Sequence, residues 1–184
     1  AEVSITKTAI DRARSSRDLM TDADSQQELH EEARVIRGED QIRESADSLE
    51  KQVAANPKDA KLVAELANRY AALREYDQAI EQYELAFELD PTNFGYREKA
   101  GDLMINRFDR EIAAAESAGD SVHAAELANG RLEFLVKEFA MRVREHPTDL
   151  GIRYRLARSL HESGNLDGAI AEYQQTVKDP RRKI

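Results

Sequence analysis

The sequence contains no cysteine, no tryptophan, only four prolines and only eight glycines among 184 residues. Without thiols there is no disulfide, no thiolate-held iron–sulfur cluster and no cysteine nucleophile. That absence leaves the compartment open, since a cytoplasmic chain and an exported or membrane-tethered one read alike on this point. No apolar run approaches the roughly 18 residues of a membrane-spanning helix, so no membrane insertion is expected, and no signal peptide is visible. The first residue is Ala, as in a processed or excised fragment. The glycines are isolated, so there is no glycine-rich loop to cradle a phosphate. His30, His123, His146 and His161 fall on different expected elements. His30-Glu31 lacks a second ligand one turn on, because position 34 is Arg, and neither a metal nor another cofactor is expected. No nucleophile, base and orienting acid assemble, and the chain reads as a non-enzyme.

What is present is charge and helix-forming residues. With 41% hydrophobic and 34% charged residues, the chain can bury one continuous core but not several independent ones. The net charge is −9, and Thr21–Glu50 holds ten Asp and Glu against three Arg. Such a surface repels phosphate backbones, and no basic stripe with interleaved aromatics offsets it, so nucleic acid is not an expected partner. The acidic stretch reads either as a surface for a basic partner or as a solvated helix face that keeps the chain soluble. Ser15-Ser16 beside Arg12, Arg14 and Arg17 reads either as a kinase target or as an arginine-rich helix end.

The prolines carry the organisation. Pro57, Pro91, Pro147 and Pro180 are separated by 34, 56 and 33 residues, and each ends a helical stretch. Proline donates no backbone N–H and disfavours helical geometry in the residue before it. A fixed period in this range marks stacked supersecondary units. Within the first interval Val63, Leu66, Ala67 and Tyr70 form one helix face, and Arg74-Glu75-Tyr76-Asp77 interrupts it. Ala79, Ile80, Tyr83, Ala86 and Phe87 then form a second face. The last interval repeats the scheme with Leu156, Ala157 and Leu160, a turn at Gly164-Asn165, and Ala169, Ile170, Tyr173 and Val177. Gly168 within its second helix costs roughly 1 kcal/mol against Ala.

The 56-residue interval reads as one unit with both helices lengthened. Met104, Phe108, Ile112 and Ala115 extend the first helix; Ala118-Gly119-Asp120-Ser121 turns; Leu132, Leu135, Phe139 and Val143 return. Helices over about 95–117 and 121–145 are expected. The 22 additional residues give about 11 per helix, roughly 16 Å of added length. The outer part, Ala113-Ala114-Ala115 against Ala124-Ala125 and Ala128, favours helix but buries little area, so a thin projecting tip is expected. Upstream, Ile42, Ala46, Leu49 and Val53 describe a further helix face, bent or broken near Gly38, while residues 1–24 are weakly patterned.

Residues 60–93 resemble a tetratricopeptide repeat. Leu66, Ala67, Tyr70, Ala79, Tyr83, Ala86 and Pro91 fill the family's signature positions in order, with Val63 in place of the usual early Trp. Residues 150–183 resemble it again, with Thr176 in place of a small residue and Pro180 one residue early. The expected fold is all-α: antiparallel helix–turn–helix repeats stacked as an α-solenoid, with one elongated repeat forming a projecting helical hairpin. The expected organisation is an N-terminal segment 1–24, an acidic helical part 25–56, a repeat 60–93, an elongated repeat 94–149 and a repeat 150–183.

The resemblance implies a non-enzymatic scaffold that binds a protein or peptide partner in its concave groove, as part of a longer protein. The alternatives are a self-association module and a regulatory domain of an enzyme whose catalytic part lies elsewhere. By the family's pattern the groove-facing residues are Lys61, Ala64, Asn68 and Ala71, then Glu98, Lys99, Asp102 and Asn106, then Tyr154, Arg155, Arg158 and His161. In relatives that hold a terminal carboxylate, five positions form a Lys/Asn clamp. Asn68 and Arg155 match it, while Ala64, Lys99 and Gly151 occupy the other positions, so the clamp is incomplete. Partner-binding residues are therefore expected among Lys61, Asn68, Lys99, Asn106, Tyr154, Arg155, Arg158 and His161. Tyr154, Arg155 and Arg158 are the expected anchor, since Tyr and Arg dominate binding hot spots. Alternatively Tyr154 packs between repeats and the arginines pair with neighbouring acids. Six residues after Lys178 are too few for a polar capping helix. A homodimer through the uncapped end, or further repeats, is expected to cover Leu156, Leu160, Ile170 and Tyr173.

Overall fold

The structure, a computed structural model, describes residues 38–177. The N-terminal segment, the acidic residues before Gly38 and the stop at Pro180 lie outside the described residues. Two compact units divide the chain, Ala1–Asp47 and Ser48–Ile184. Of the first, residues 38–47 are described and are helical, with Ala46 buried.

All regular structure among the described residues is α-helical. α1 covers 38–55; α2 is Ala60–Ala72 and α3 Tyr76–Leu89. α4 is Phe94–Ser117 and α5 Ser121–Glu145; α6 is Leu150–Glu162 and α7 Leu166–Val177. From α2 onward each helix packs on the next in sequence, the nearest-neighbour construction of a solenoid.

Two recurring turns punctuate the array. After α1, α3 and α5 the chain runs Asn56-Pro57, Asp90-Pro91 and His146-Pro147. In each case the N–H three residues on returns to the carbonyl before the proline: Asp59 to Asn56 at 3.1 Å, Asn93 to Asp90 at 3.2 Å and Asp149 to His146 at 3.0 Å. Proline fits the second position of such a turn because its φ is already set. The turn then delivers a cap. Asp59 Oδ1 accepts from the N–H groups of Lys61 and Leu62, and Asp149 Oδ1 from those of Gly151 and Ile152, satisfying donors that the first helical turn leaves free.

Within each helix pair the other turn is a Schellman motif. Glu75 N–H bonds to Tyr70 C=O, Asp120 to Ala115 and Asn165 to Leu160, each at 2.9 Å. The residue before each donor is left-handed: Arg74 at φ 58°, Gly119 at 75° and Gly164 at 81°. Glycine adopts this geometry freely; arginine does so at a cost of roughly 1–2 kcal/mol. Gly168 belongs to the start of α7, where its N–H donates to Asn165 Oδ1 at 3.0 Å. It therefore serves the cap, and a Cβ there would stand 2.9 Å from that oxygen.

The core follows the alternation of small and large residues. Ala67, Ala79 and Ala86 are fully enclosed, and Leu66, Tyr70, Ile80 and Tyr83 fill the space around them. This permits the close approach of α2 and α3. Leu135, Phe139, Val143 and Leu156 form a second cluster, flanked by Ile105, Ala140, Ile152 and Leu160. Thr176, at a position where the repeat usually carries a smaller residue, is buried with its hydroxyl donating to Tyr173 C=O at 2.7 Å.

α4 and α5 have 24 and 25 residues against 13 and 14 in α2 and α3, so the middle pair extends as a hairpin, with its helices within one residue of the expected bounds. At its outer part Ala115 and Ala124 are buried while Ala113, Ala114, Ala125 and Ala128 are exposed. Arg107 Nη1 lies 2.7 Å from Asp77 Oδ1, and Arg110 Nη1 donates to Arg74 C=O at 3.2 Å. These contacts tie α4 to the turn of the preceding pair.

Candidate functional site

Three side-chain assemblies lie along α2, α3, α4, α5 and α6. The first is structural and joins residues that the repeat pattern does not bring together. Glu138 on α5 is 1% exposed. Its Oε1 accepts from Arg142 Nε at 2.9 Å and its Oε2 from Arg97 Nη2 at 2.8 Å. Arg142 Nη2 donates to Glu98 C=O at 2.7 Å and pairs with Asp102 Oδ1 at 2.9 Å. Burial alone would push Arg142 down, but Glu138 and Asp102 outweigh it and hold its pKa above the ordinary arginine value. Paired and hydrogen-bonded in this way, the buried charges are tolerable; removal of one partner would leave another uncompensated. Gly101 makes the room, since a Cβ there would fall 2.1 Å from Glu138 Oε1. Glu98 and Asp102, expected to face the groove, are thus engaged with α5 and its end: Asp102 with Arg142, and Glu98 with His146 at 3.4 Å. The sequence signals were the Glu138–Arg142 spacing of four and a glycine inside α4.

The second assembly joins two residues expected at the groove. Asn68 Oδ1 accepts from the Tyr83 hydroxyl at 2.5 Å and from Lys99 Nζ at 3.5 Å, and Asn68 Nδ2 donates to Ala64 C=O at 2.9 Å. Lys99 Nζ also lies over the Tyr83 ring, 5.3 Å from its centre. Burial pushes the Tyr83 phenol up to about 12, so it stays a donor through neutral pH. Asn68 and Lys99 are brought together, but each is engaged with the other and with Tyr83.

The third is a cleft of about 240 Å³ between α4, α5 and α6. Ile105, Leu135 and Phe139 supply its apolar wall; Arg131, Arg155, Arg158, Ser159 and Glu162 complete it. Arg158 Nε donates to Glu162 Oε1 at 2.8 Å. Arg131 Nε is 2.7 Å from Asp109 Oδ1, yet this buried nitrogen makes no aligned hydrogen bond. The contact is a charge attraction without directional bonding. Arg155 has no carboxylate partner among the described contacts; its guanidinium lies over the Phe139 ring at 5.8 Å.

Of the remaining expected residues, Tyr154 turns to Tyr173 of α7, edge to face at 5.6 Å, and stays 44% exposed. It does not line the cleft with Arg155 and Arg158. Adjacent residues on a helix point about 100° apart, so Tyr154 and Arg155 face different neighbours, while Arg158, one turn on from Tyr154, points between them. Lys61, Asn106 and His161 are exposed and enter none of the three assemblies. Among the described residues no group of three or more acids and histidines is placed to hold a metal ion, and no helix is long and apolar enough to cross a membrane.

Stacked antiparallel helix pairs that leave polar and aromatic side chains along one set of helices define a helical-repeat interaction scaffold, a class whose members bind protein partners. Residues 60–93 match the tetratricopeptide repeat family, and the chain carries a tetratricopeptide repeat there. Similar solved structures include "MamA MSR-1 C2", 18% identical over 74% of this chain and 66% of that one, with a TM-score of 0.44. Another is "MamA 41-end from Desulfovibrio magneticus RS-1", 14% identical over 77% of this chain and 87% of that one, with a TM-score of 0.40. At this level of likeness nothing about function passes from those proteins to this chain. No curated protein matches the chain.

Proposed function

We propose that this chain is a non-enzymatic scaffold that holds a segment of a partner protein along the faces of α2, α4 and α6. The observation that carries this reading is the cleft beside α6, where an exposed arginine is held on an aromatic ring with no carboxylate partner among the described contacts. An arginine held on an aromatic ring beside apolar surface is the composition of a binding hot spot. The test is association of the native partner with Arg155→Ala, Arg158→Ala and Tyr154→Ala variants. Binding weakened by about tenfold or more in at least one of them, with unchanged circular dichroism, is the expected result. Full affinity in the triple variant would remove these residues from the interface.

A second reading, self-association, rests on α7. Ile80 of α3 is 6% exposed, whereas Ile170 at the matching place in α7 is 54% exposed; Leu166 and Val177 are bare as well. A second copy supplies a helix for that stripe in this reading. Sedimentation equilibrium is expected to give a concentration-dependent dimer that Ile170→Glu abolishes; a monomer at all concentrations rejects this reading.

A further inference from the structure

The cleft between α4, α5 and α6 has a polarity opposite to that of the chain. The net charge is −9, yet three arginines and one glutamate stand around an apolar wall of Ile105, Leu135 and Phe139. Two of the arginines already meet acids: Arg158 meets Glu162 and Arg131 meets Asp109. Arg155 does not. A guanidinium lying over a ring keeps its N–H edge free, and that planar edge matches a carboxylate with two parallel hydrogen bonds. The ring is itself fixed, because Phe139 also carries Arg142 at 5.7 Å, and Arg142 is locked into the buried network. The arginine is therefore oriented before any ligand arrives, which lowers the cost of binding.

Resting on the scaffold reading above, we infer that the cleft takes an internal segment of a partner protein in which an Asp or Glu stands beside a large aliphatic residue. The carboxylate seats on Arg155 and the aliphatic side chain on Ile105 and Leu135. A chain terminus is the other source of a carboxylate, and the arrangement favours the internal one. A single terminus needs donors converging on one point, whereas Asn68 and Lys99 are engaged with each other and with Tyr83, and the three arginines are spread over two helices. With Arg158 and Arg131 already paired to Glu162 and Asp109, Arg155 alone is left to meet one side-chain carboxylate, without the converging donors that a terminus needs.

The test uses the full chain and labelled octapeptides, acetylated and amidated, centred on Glu-Leu-Glu, Gln-Leu-Gln, Glu-Ser-Glu or Lys-Leu-Lys. A Gln-Leu-Gln peptide with a free carboxyl end is added. Affinity is read by anisotropy and location by NMR shifts of the Arg155 Nε–H and of the Leu135 and Ile105 methyls. The Glu-Leu-Glu peptide is expected to bind tightest, to shift those signals, and to weaken as salt rises. Arg155→Ala is expected to loosen it about tenfold, and Arg155→Lys by a smaller factor, since charge survives but the flat edge does not. Arg155 is exposed, so the variants should keep native circular dichroism. Equal binding of the Gln or Lys peptides, unchanged affinity in Arg155→Ala, binding only through the free carboxyl end, or no binding by any peptide would each overturn the inference. Displacement of the peptide by self-association of the chain would also overturn it, in favour of a second copy. Shifts confined to the surface around Lys61 and Asn106, with the cleft silent, would sink this inference and leave the scaffold reading standing. A native partner unaffected by any variant of α2, α4 or α6 would sink both.

Discussion

The same substitution, Gly to Ala, is expected to act with opposite sign at two places in the hairpin. At Gly130, in the interior of α5, a Cβ would meet only Phe108 Cε1 at 3.7 Å, an ordinary contact. Helix propensity then decides, and Gly130→Ala should stabilise by about 0.5–1 kcal/mol. At Gly101 the Cβ would lie 2.1 Å from Glu138 Oε1, 2.6 Å from its Cδ and 2.9 Å from Arg142 Nη2. Those atoms have nowhere to go, because Glu138 is enclosed and both of its oxygens are held by arginines. Overpacking costs roughly 1–3 kcal/mol, and breaking a buried charge pair roughly 3–5 kcal/mol. Even partial relief leaves a net loss of about 2–4 kcal/mol after the propensity gain. Denaturant titration of both variants beside the wild type, with m-values compared, reads the difference directly. If Gly101→Ala were as stable as wild type or more so, the tightness of that pocket would be refuted, and with it the account of why a glycine stands inside α4.

Arg74 occupies a left-handed position, so Arg74→Gly should stabilise by about 0.5–1 kcal/mol in the same titration; a loss would mean that its side chain contributes more than its backbone costs. Tyr83 is raised above its unfolded value of 10.0 to about 12. Its contribution is therefore present below pH 10 and lost as pH rises from about 10 to 12, amounting to roughly 2–3 kcal/mol. Subtracting the pH–stability curve of Tyr83→Phe from that of wild type isolates it, and superimposable curves would refute the shift. Deleting residues 109–130 removes only Ala115 and Ala124 from the buried residues. A cooperative transition should therefore survive the deletion, with a stability loss below about 2 kcal/mol; a molten chain would show that the hairpin belongs to the core.

The architecture was legible because its determinants are local. Proline spacing, left-handed glycines and the three-and-four spacing of Leu66, Tyr70, Ile80 and Tyr83 act within one or two helical turns. The hairpin length followed from counting. What escaped was whatever depends on which face of a long helix meets which neighbour. Glu138 and Arg142 resemble an ordinary exposed pair four residues apart until α4 is placed over them, and only the cost of Gly101 hinted otherwise. Asn68, Lys99 and Tyr154 were chosen by position in a pattern, and position does not say whether a side chain is already occupied. In each of these cases the partner, Tyr83 or Tyr173, lies on a neighbouring helix.

Each helix of the hairpin is 11 residues longer than its counterpart in the preceding pair. At about 100° per residue, 11 residues turn the backbone through about 1100°, some 20° from three full revolutions. The two arms therefore return to the body of the array with their inward faces almost in phase, and the junctions on either side need not be rebuilt. A lever about 16 Å long can thus be spliced into such an array, or removed from it, as a quantum. Increments of about half that number, 5 or 6 residues per arm, would leave Leu135 and Phe139 facing water and Glu138 facing the wrong neighbour. Length variation in this hairpin should accordingly come in whole numbers of turns taken by both arms together, with the outer surface carried outward unchanged in aspect.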